Sequence, residues 1–350
     1  MRLSIRQSLP LFACFLLVSL YLVGCGGSTS ATNSMTLKVA QNSNAIDYFS
    51  LYVAQQENFI KDQGLTLDPS PIPLMGNATK MTAAVESGAV DVAAGTITDA
   101  FTLSKVDSKI KLLGALSAAF TGYVVVSKSF EQQTGLTATS SLADKVNALR
   151  GKKVGVPALR SAMEGLLTYL FTTYGYNFQK DATEVNLGAS NPVTALGALR
   201  TGRVDAIAFP LPAGEEAEQQ DIGDIFISPI RGDVPAMQGQ INTVLYARQD
   251  VISTRSKAVQ ALIRALAQAQ NFIRKNPTQA MTLLAKYLKL NHNLVGTIAT
   301  AAFPGIPQSP QVSQQGYDVA AQFHVQAGLI KSAPSYNTMV ATSTINQALG

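Results

Sequence analysis

Residues suited to lining a small-solute site, most of them polar, recur at six places along this chain. Asn44, Asp47 and Tyr48 form one group, Asn77 and Thr79 a second, and Thr96, Thr98 and Asp99 a third. Arg160 with Ser161, then Asn191, then Pro210 make three more. Each group lies between an apolar run and the next one, as a loop joining a strand to a helix does. The free N–H groups and dipole at a helix start favour anions. Asn, Thr and Ser there are donors to such a group, and the Arg160 guanidinium adds a charge. Asp47 and Asp99 suit the opposite partner, a ligand amine. Tyr48 and its neighbour Phe49 suit stacking on a ring or an alkyl chain. Every member of the set has a second use. Ser, Thr and Asn cap helices everywhere, and for any single one capping is the commoner role. The two acids also fit caps, and the two aromatics fit a core. Glu164, one turn after Arg160, is placed to pair with it along a helix.

Other chemistries find little here. The cysteines are Cys14 and Cys25, and the histidines are His292 and His324, both far along the chain in helical patterns. Two isolated histidines do not make a zinc site, and each reads as a surface or packing residue. No metal or other cofactor is expected. Net charge is +5, of which Arg2 and Arg6 supply two, and no Lys/Arg cluster stands out, so nucleic acid is not an expected partner. A hydrophobic content of 47% supports full cores.

The elements that position the polar loops come twice. Ala84-Val85-Glu86-Ser87-Gly88-Ala89-Val90-Asp91 and Ala198-Leu199-Arg200-Thr201-Gly202-Arg203-Val204-Asp205 each read as a helix end, a glycine, then the entry to a buried strand. The two glycines are 114 positions apart, and the strands Val39-Ala40-Gln41 and Val154-Gly155-Val156 are 115 apart. That period is too long for a solenoid. It fits two similar α/β lobes with parallel sheets, and two lobes imply a cleft. The β-rich runs Gly122–Val126 and Ile241–Ala247 read as the two crossings between them. The first lobe is then 36–122 with 247–350, and the second is 123–246. Asp91 and Asp205 recur at the strand entrances, away from the cleft, and read as structural. Residues 218–240 look irregular, and Arg231-Gly232-Asp233 reads as a turn.

The first residues read as a processing signal. Arg2 and Arg6 precede an apolar run from Leu9 to Leu20, and Leu22-Val23-Gly24-Cys25 matches the lipobox of bacterial lipoproteins. Residues 1–24 are then a signal peptide, Cys25 the lipidated residue, and 25–35 a flexible tether. Attachment to the membrane is expected by that lipid anchor alone.

With these motifs in order, the chain resembles the bacterial ABC-transporter substrate-binding proteins of the nitrate/sulfonate/taurine group. The matching residues are Leu51-Tyr52-Val53-Ala54, Phe59-Ile60-Lys61-Asp62-Gln63-Gly64-Leu65, Ser87-Gly88-x-Val90-Asp91, Gly122–Val126, Leu149–Val156, Gly202-x-Val204-Asp205-Ala206, and Val259–Ala267 before Asn276-Pro277. The resemblance implies a two-lobed periplasmic-binding-protein fold of type II with hinge crossings. It implies a monomer outside the cytoplasm that captures an anionic or zwitterionic solute and delivers it to an ABC permease and its ATPase. Two loops depart from the group's pattern, Tyr48-Phe49-Ser50 and Pro157–Ser161. They leave open a pyrimidine thiamine precursor or another aromatic solute. Pyrimidine synthases on the same fold use a cysteine-rich motif and a cleft histidine, and neither is expected here, so the chain is expected not to be an enzyme. A sensing lipoprotein without a permease is a further reading.

Overall fold

The computed structural model describes residues 34–188, 191–289 and 292–350. The signal segment, Cys25 and most of the tether lie outside the described residues. Eleven strands are formed among those described: β1 (Thr36–Leu37), β2 (Val39–Gln41), β3 (Thr66–Leu67), β4 (Val92–Thr96), β5 (Ile110–Ser117), β6 (Gly122–Ser127), β7 (Lys153–Val156), β8 (Thr183–Asn186), β9 (Ala206–Pro210), β10 (Gly223–Ile227) and β11 (Thr243–Arg248). One sheet has the order β2-β4-β11-β5 and the other β10-β6-β9-β7-β8, while β1 pairs with β3. β2 is parallel to β4, and β7 is parallel to both β8 and β9. β11, β6 and β10 bring the antiparallel pairings. Mixed α/β sheets in two lobes are what the repeat implies.

The repeat has a physical basis in hydrogen bonds. Gly88 and Gly202 take φ of 72° and 68°, the left-handed turn that a Cβ disfavours. Three residues on, the aspartates do the same work twice. The Asp91 amide donates to the Lys38 carbonyl at 2.8 Å, and its Oδ2 accepts from the Lys38 amide at 2.8 Å. Asp205 and Lys153 repeat both bonds at 2.8 Å. Each aspartate clamps the start of one strand to its parallel neighbour. Asp91 also pairs with Arg255 at 3.0 Å.

Both faces of the second sheet are covered, so β6, between β10 and β9, is buried along its whole length. Val124, Val126, Val154 and Val156 pack on one side with Leu166, Leu170 and Phe171. Tyr123, Val125, Ile207 and Phe209 pack on the other side. In the first lobe the helix Ser256–Lys275 buries Val259, Leu262, Ile263, Leu266 and Ile273 as its stripe predicts, and Pro277 opens the next helix.

Three expectations need correction. Thr243–Tyr246 pair with β4 and β5, so the return crossing ends before β11 and these residues belong to the first sheet. The stretch 218–240 is not all irregular, because β10 adds an antiparallel edge to β6. The C-terminal part does not serve the first lobe alone. Helix Gln314–Gln326 puts Phe323 into the second core, 5.4 Å from Phe120 and 5.5 Å from Tyr169 between ring centres. The next residue, His324, packs edge-on against Phe101 of the first lobe.

Candidate functional site

The carboxyl ends of β2, β4, β7 and β9 carry the loops named from sequence, as expected for a ligand crevice in parallel α/β sheets. In the first lobe, Gln41 organises the loop after β2. Its amide donates to the Ser43 carbonyl at 2.9 Å, to Asn44 Oδ1 at 3.2 Å and to the Tyr287 hydroxyl at 3.3 Å. Backbone bonds from Met75 to Gln41 and from Gly76 to Asn42, both 2.9 Å, join this loop to the one before helix Ala78–Glu86.

Asp47 is half-buried and tied by its side chain. Its carboxylate accepts from Thr121 Oγ1 at 2.8 Å and from Asn242 Nδ2 at 3.2 Å. Thr121 stands on the first crossing and Asn242 on the return crossing, so one side chain ties both to this loop. Burial pushes the Asp47 carboxyl above its ordinary pKa, and the bonds from Thr121 and Asn242 pull it partly back. Tyr48 is buried beside it, and burial, then the charges of Asp99 and Asp47, push its phenol well above the usual range. Phe49 is core: its ring lies 6.0 Å from Phe303 and 5.8 Å from Tyr287.

Thr96 and Asp99 form a reciprocal cap on helix Ile97–Ser104. Asp99 Oδ2 accepts from the Thr96 amide at 3.0 Å and also from Asn42 Nδ2 at 2.7 Å. Burial raises the Asp99 carboxyl, and these bonds lower it again in part. Thr98, half-buried on the first turn of the same helix, lies 2.6 Å from His324 Nε2. Sequence had set His324 apart from this region. The helix that carries it returns across both lobes and brings it there. Its Nδ1 is 2.6 Å from the Ala320 carbonyl, and burial pushes its pKa down to about 4.

In the second lobe the capping role is plain. Ser161 caps helix Ala162–Thr173 and Asn191 caps helix Pro192–Arg200, as Asn77 caps the 78–86 helix in the first lobe. Arg160 is exposed, has φ of 58°, and has no salt-bridge partner among the described residues. Glu164 does not meet its guanidinium. The Glu164 carboxylate accepts from the Arg160 backbone amide instead, which leaves the charged group facing solvent. Thr79 is exposed on the first turn of its helix, and Pro210 ends β9 opposite Gly122. Leu74 and Leu159, on loops, and Val193, on the first turn of helix Pro192–Arg200, expose apolar side chains at 50%, 57% and 77%. A separate groove of about 600 Å³ runs between Ile230, Arg231 and residues 296–304, and none of the candidate ligand residues named from sequence lines it.

Residues 30–288 match the NMT1-like family. The chain belongs to this family. A Haemophilus influenzae protein named for thiamine biosynthesis is 28% identical to this NMT1-like chain over 299 residues, 82% of this chain and 85% of that one. A Brucella abortus protein named as a binding protein is 24% identical over 183 residues, and the match spans about half of that relative, 51% of its length. Among solved structures, the alkanesulfonate-binding protein SsuA of Xanthomonas axonopodis pv. citri shares the fold of the NMT1-like chain, with a TM-score of 0.65 at 16% identity over 87% of this chain and 98% of that one. No described helix is long and apolar enough to cross a membrane, and no group of three metal-ligating acidic, His or Cys side chains occurs among the described residues.

Proposed function

We propose that this protein is an extracytoplasmic solute-binding component of an ABC import system, closing two lobes over one small solute. The observation that carries this reading is the pair of α/β sheets joined by two crossings, with polar loops at the strand ends, in a fold shared with a sulfonate-binding protein. The solute carries an anionic group facing the second lobe. Support comes from Arg160, exposed beside the start of helix Ala162–Thr173. That helix end contributes ~0.3–1 kcal/mol to binding an anion, and a charge-assisted bond from Arg160 adds roughly 1.5–3 kcal/mol. The sum is modest, so lobe closure and the exclusion of water supply the rest. Calorimetric titration with taurine, ethanesulfonate, nitrate and a hydroxymethylpyrimidine tests the class. Arg160→Ala weakens the anion that binds by about tenfold, equivalent to ~1.4 kcal/mol. Binding by the pyrimidine alone, unaffected by this substitution, would replace the anion with the aromatic reading.

The anchor belongs to the same reading. Cys25 follows Leu22-Val23-Gly24 and precedes a Gly/Ser/Thr stretch. Cys25→Ala releases the protein from the membrane fraction or leaves it unprocessed, and normal processing with full membrane retention would exclude lipidation. A permease and its ATPase are the partners that this location serves.

A further inference from the structure

We propose that the solute presents an N–H or O–H donor to Thr98, and that His324 is the positioning residue that imposes this preference. The inference rests on the cleft reading above and deepens it by assigning the chemistry of the solute face turned to the first lobe.

His324 Nδ1 is 2.6 Å from the Ala320 carbonyl oxygen, which can only accept, so Nδ1 carries the hydrogen. The ring is buried between the rings of Phe101 and Phe323, 5.4 and 5.1 Å away, and this setting favours the neutral form. Neutral imidazole with its hydrogen on Nδ1 has only a lone pair on Nε2. The Thr98 hydroxyl, 2.6 Å from that nitrogen, therefore donates its one hydrogen inward. What Thr98 has left is two lone pairs.

Asn42 repeats the pattern on the next loop. Its Nδ2 donates to the Asp99 carboxylate at 2.7 Å, and its Oδ1 is buried without a partner among the described residues. Asp99 itself is an acceptor already engaged by the Thr96 amide. Thr98 thus spends its one donor on the protein, Asn42 commits an amide hydrogen to Asp99, and Asp99 offers acceptors only, so lone pairs dominate this neighbourhood. An anionic oxygen placed at Thr98 would set lone pair against lone pair. An ammonium or an amino group at the same place completes the bond. With Arg160 on the other lobe, the polarity suits a solute that is anionic at one end and a donor at the other.

The test uses matched probes that differ in one donor, taurine against ethanesulfonate and an aminopyrimidine against pyrimidine, titrated into the full protein. The donor-bearing member of the pair that binds is expected to win by about tenfold, the value of one good hydrogen bond. Thr98→Val is expected to erase that preference, and Thr98→Ser, which keeps the hydroxyl, to retain it. His324→Phe keeps the ring volume but frees the Thr98 proton, so the preference ratio narrows, whereas mere loosening would weaken both members alike. Nitrogen-resolved NMR of the unliganded protein should show His324 with its hydrogen on Nδ1. A hydrogen on Nε2, or equal binding of both members of a pair, overturns this assignment and leaves the solute-binding reading standing. No binding by any probe counts against the solute-binding reading itself and removes this assignment with it.

Discussion

His324 is almost fully buried, and its pKa is lowered to about 4 from an ordinary 6.5. The unfolded chain therefore takes up a proton at His324 before the folded one does. Its contribution to folding is complete above pH 6.5 and is lost progressively as pH falls to about 4, a total of about 3 kcal/mol. Asp47 and Asp99 act in the opposite sense, because burial raises both carboxyls and the folded state takes up their protons first. Urea titrations of the wild type and His324→Phe separate the two effects. The wild-type curve should fall more steeply with acid between pH 6.5 and 4. Parallel curves would show that His324 is not the titrating group. At this level the sequence was partly legible. Asp91 and Asp205 recur with the same neighbours, and that recurrence revealed a structural clamp. Thr98 reads from sequence as a loop residue but stands on the first turn of helix Ile97–Ser104, and its partner lies 226 positions away, where no local pattern reports a contact.

Helix caps and the strand–loop–helix order were readable because they depend on residues three or four positions apart. The capping uses of Asn77, Thr96, Ser161 and Asn191 follow from that. β8 was missed because Thr183–Asn186 holds one apolar residue and no buried one, and β10 because it sits in a stretch that reads as irregular. The run read as a β-rich return crossing is β11 of the first sheet, since local pattern says nothing of which neighbour a strand joins. The β-rich runs read as crossings are largely strands β6 and β11, so the crossings lie just before them, and what ties them was not legible. Asp47 binds Thr121 on one and Asn242 on the other, and the Asn242 amide donates to Ser117 at 3.0 Å while its carbonyl accepts from Ile97 at 2.8 Å. Asp47→Ala removes the only side chain shared by these two bonds. We expect faster hydrogen exchange at residues 117–122 and 240–243, with little change in β7 to β9. Unchanged exchange at both crossings would mean that their backbone bonds hold them unaided.

Across the whole molecule, the repeat at 114–115 residues disclosed two lobes, because each copy must build its own sheet. It did not disclose that the helix Gln314–Gln326 reaches into both cores, since this helix lies outside the repeat. Closure over a solute is the property that separates a transport binding protein from a rigid scaffold. Small-angle scattering tests it directly, on protein stripped of solute and then saturated with whichever probe calorimetry shows to bind. The radius of gyration should fall on saturation and recover when the probe is dialysed away. An identical radius at saturation would contradict a cleft that closes over its ligand.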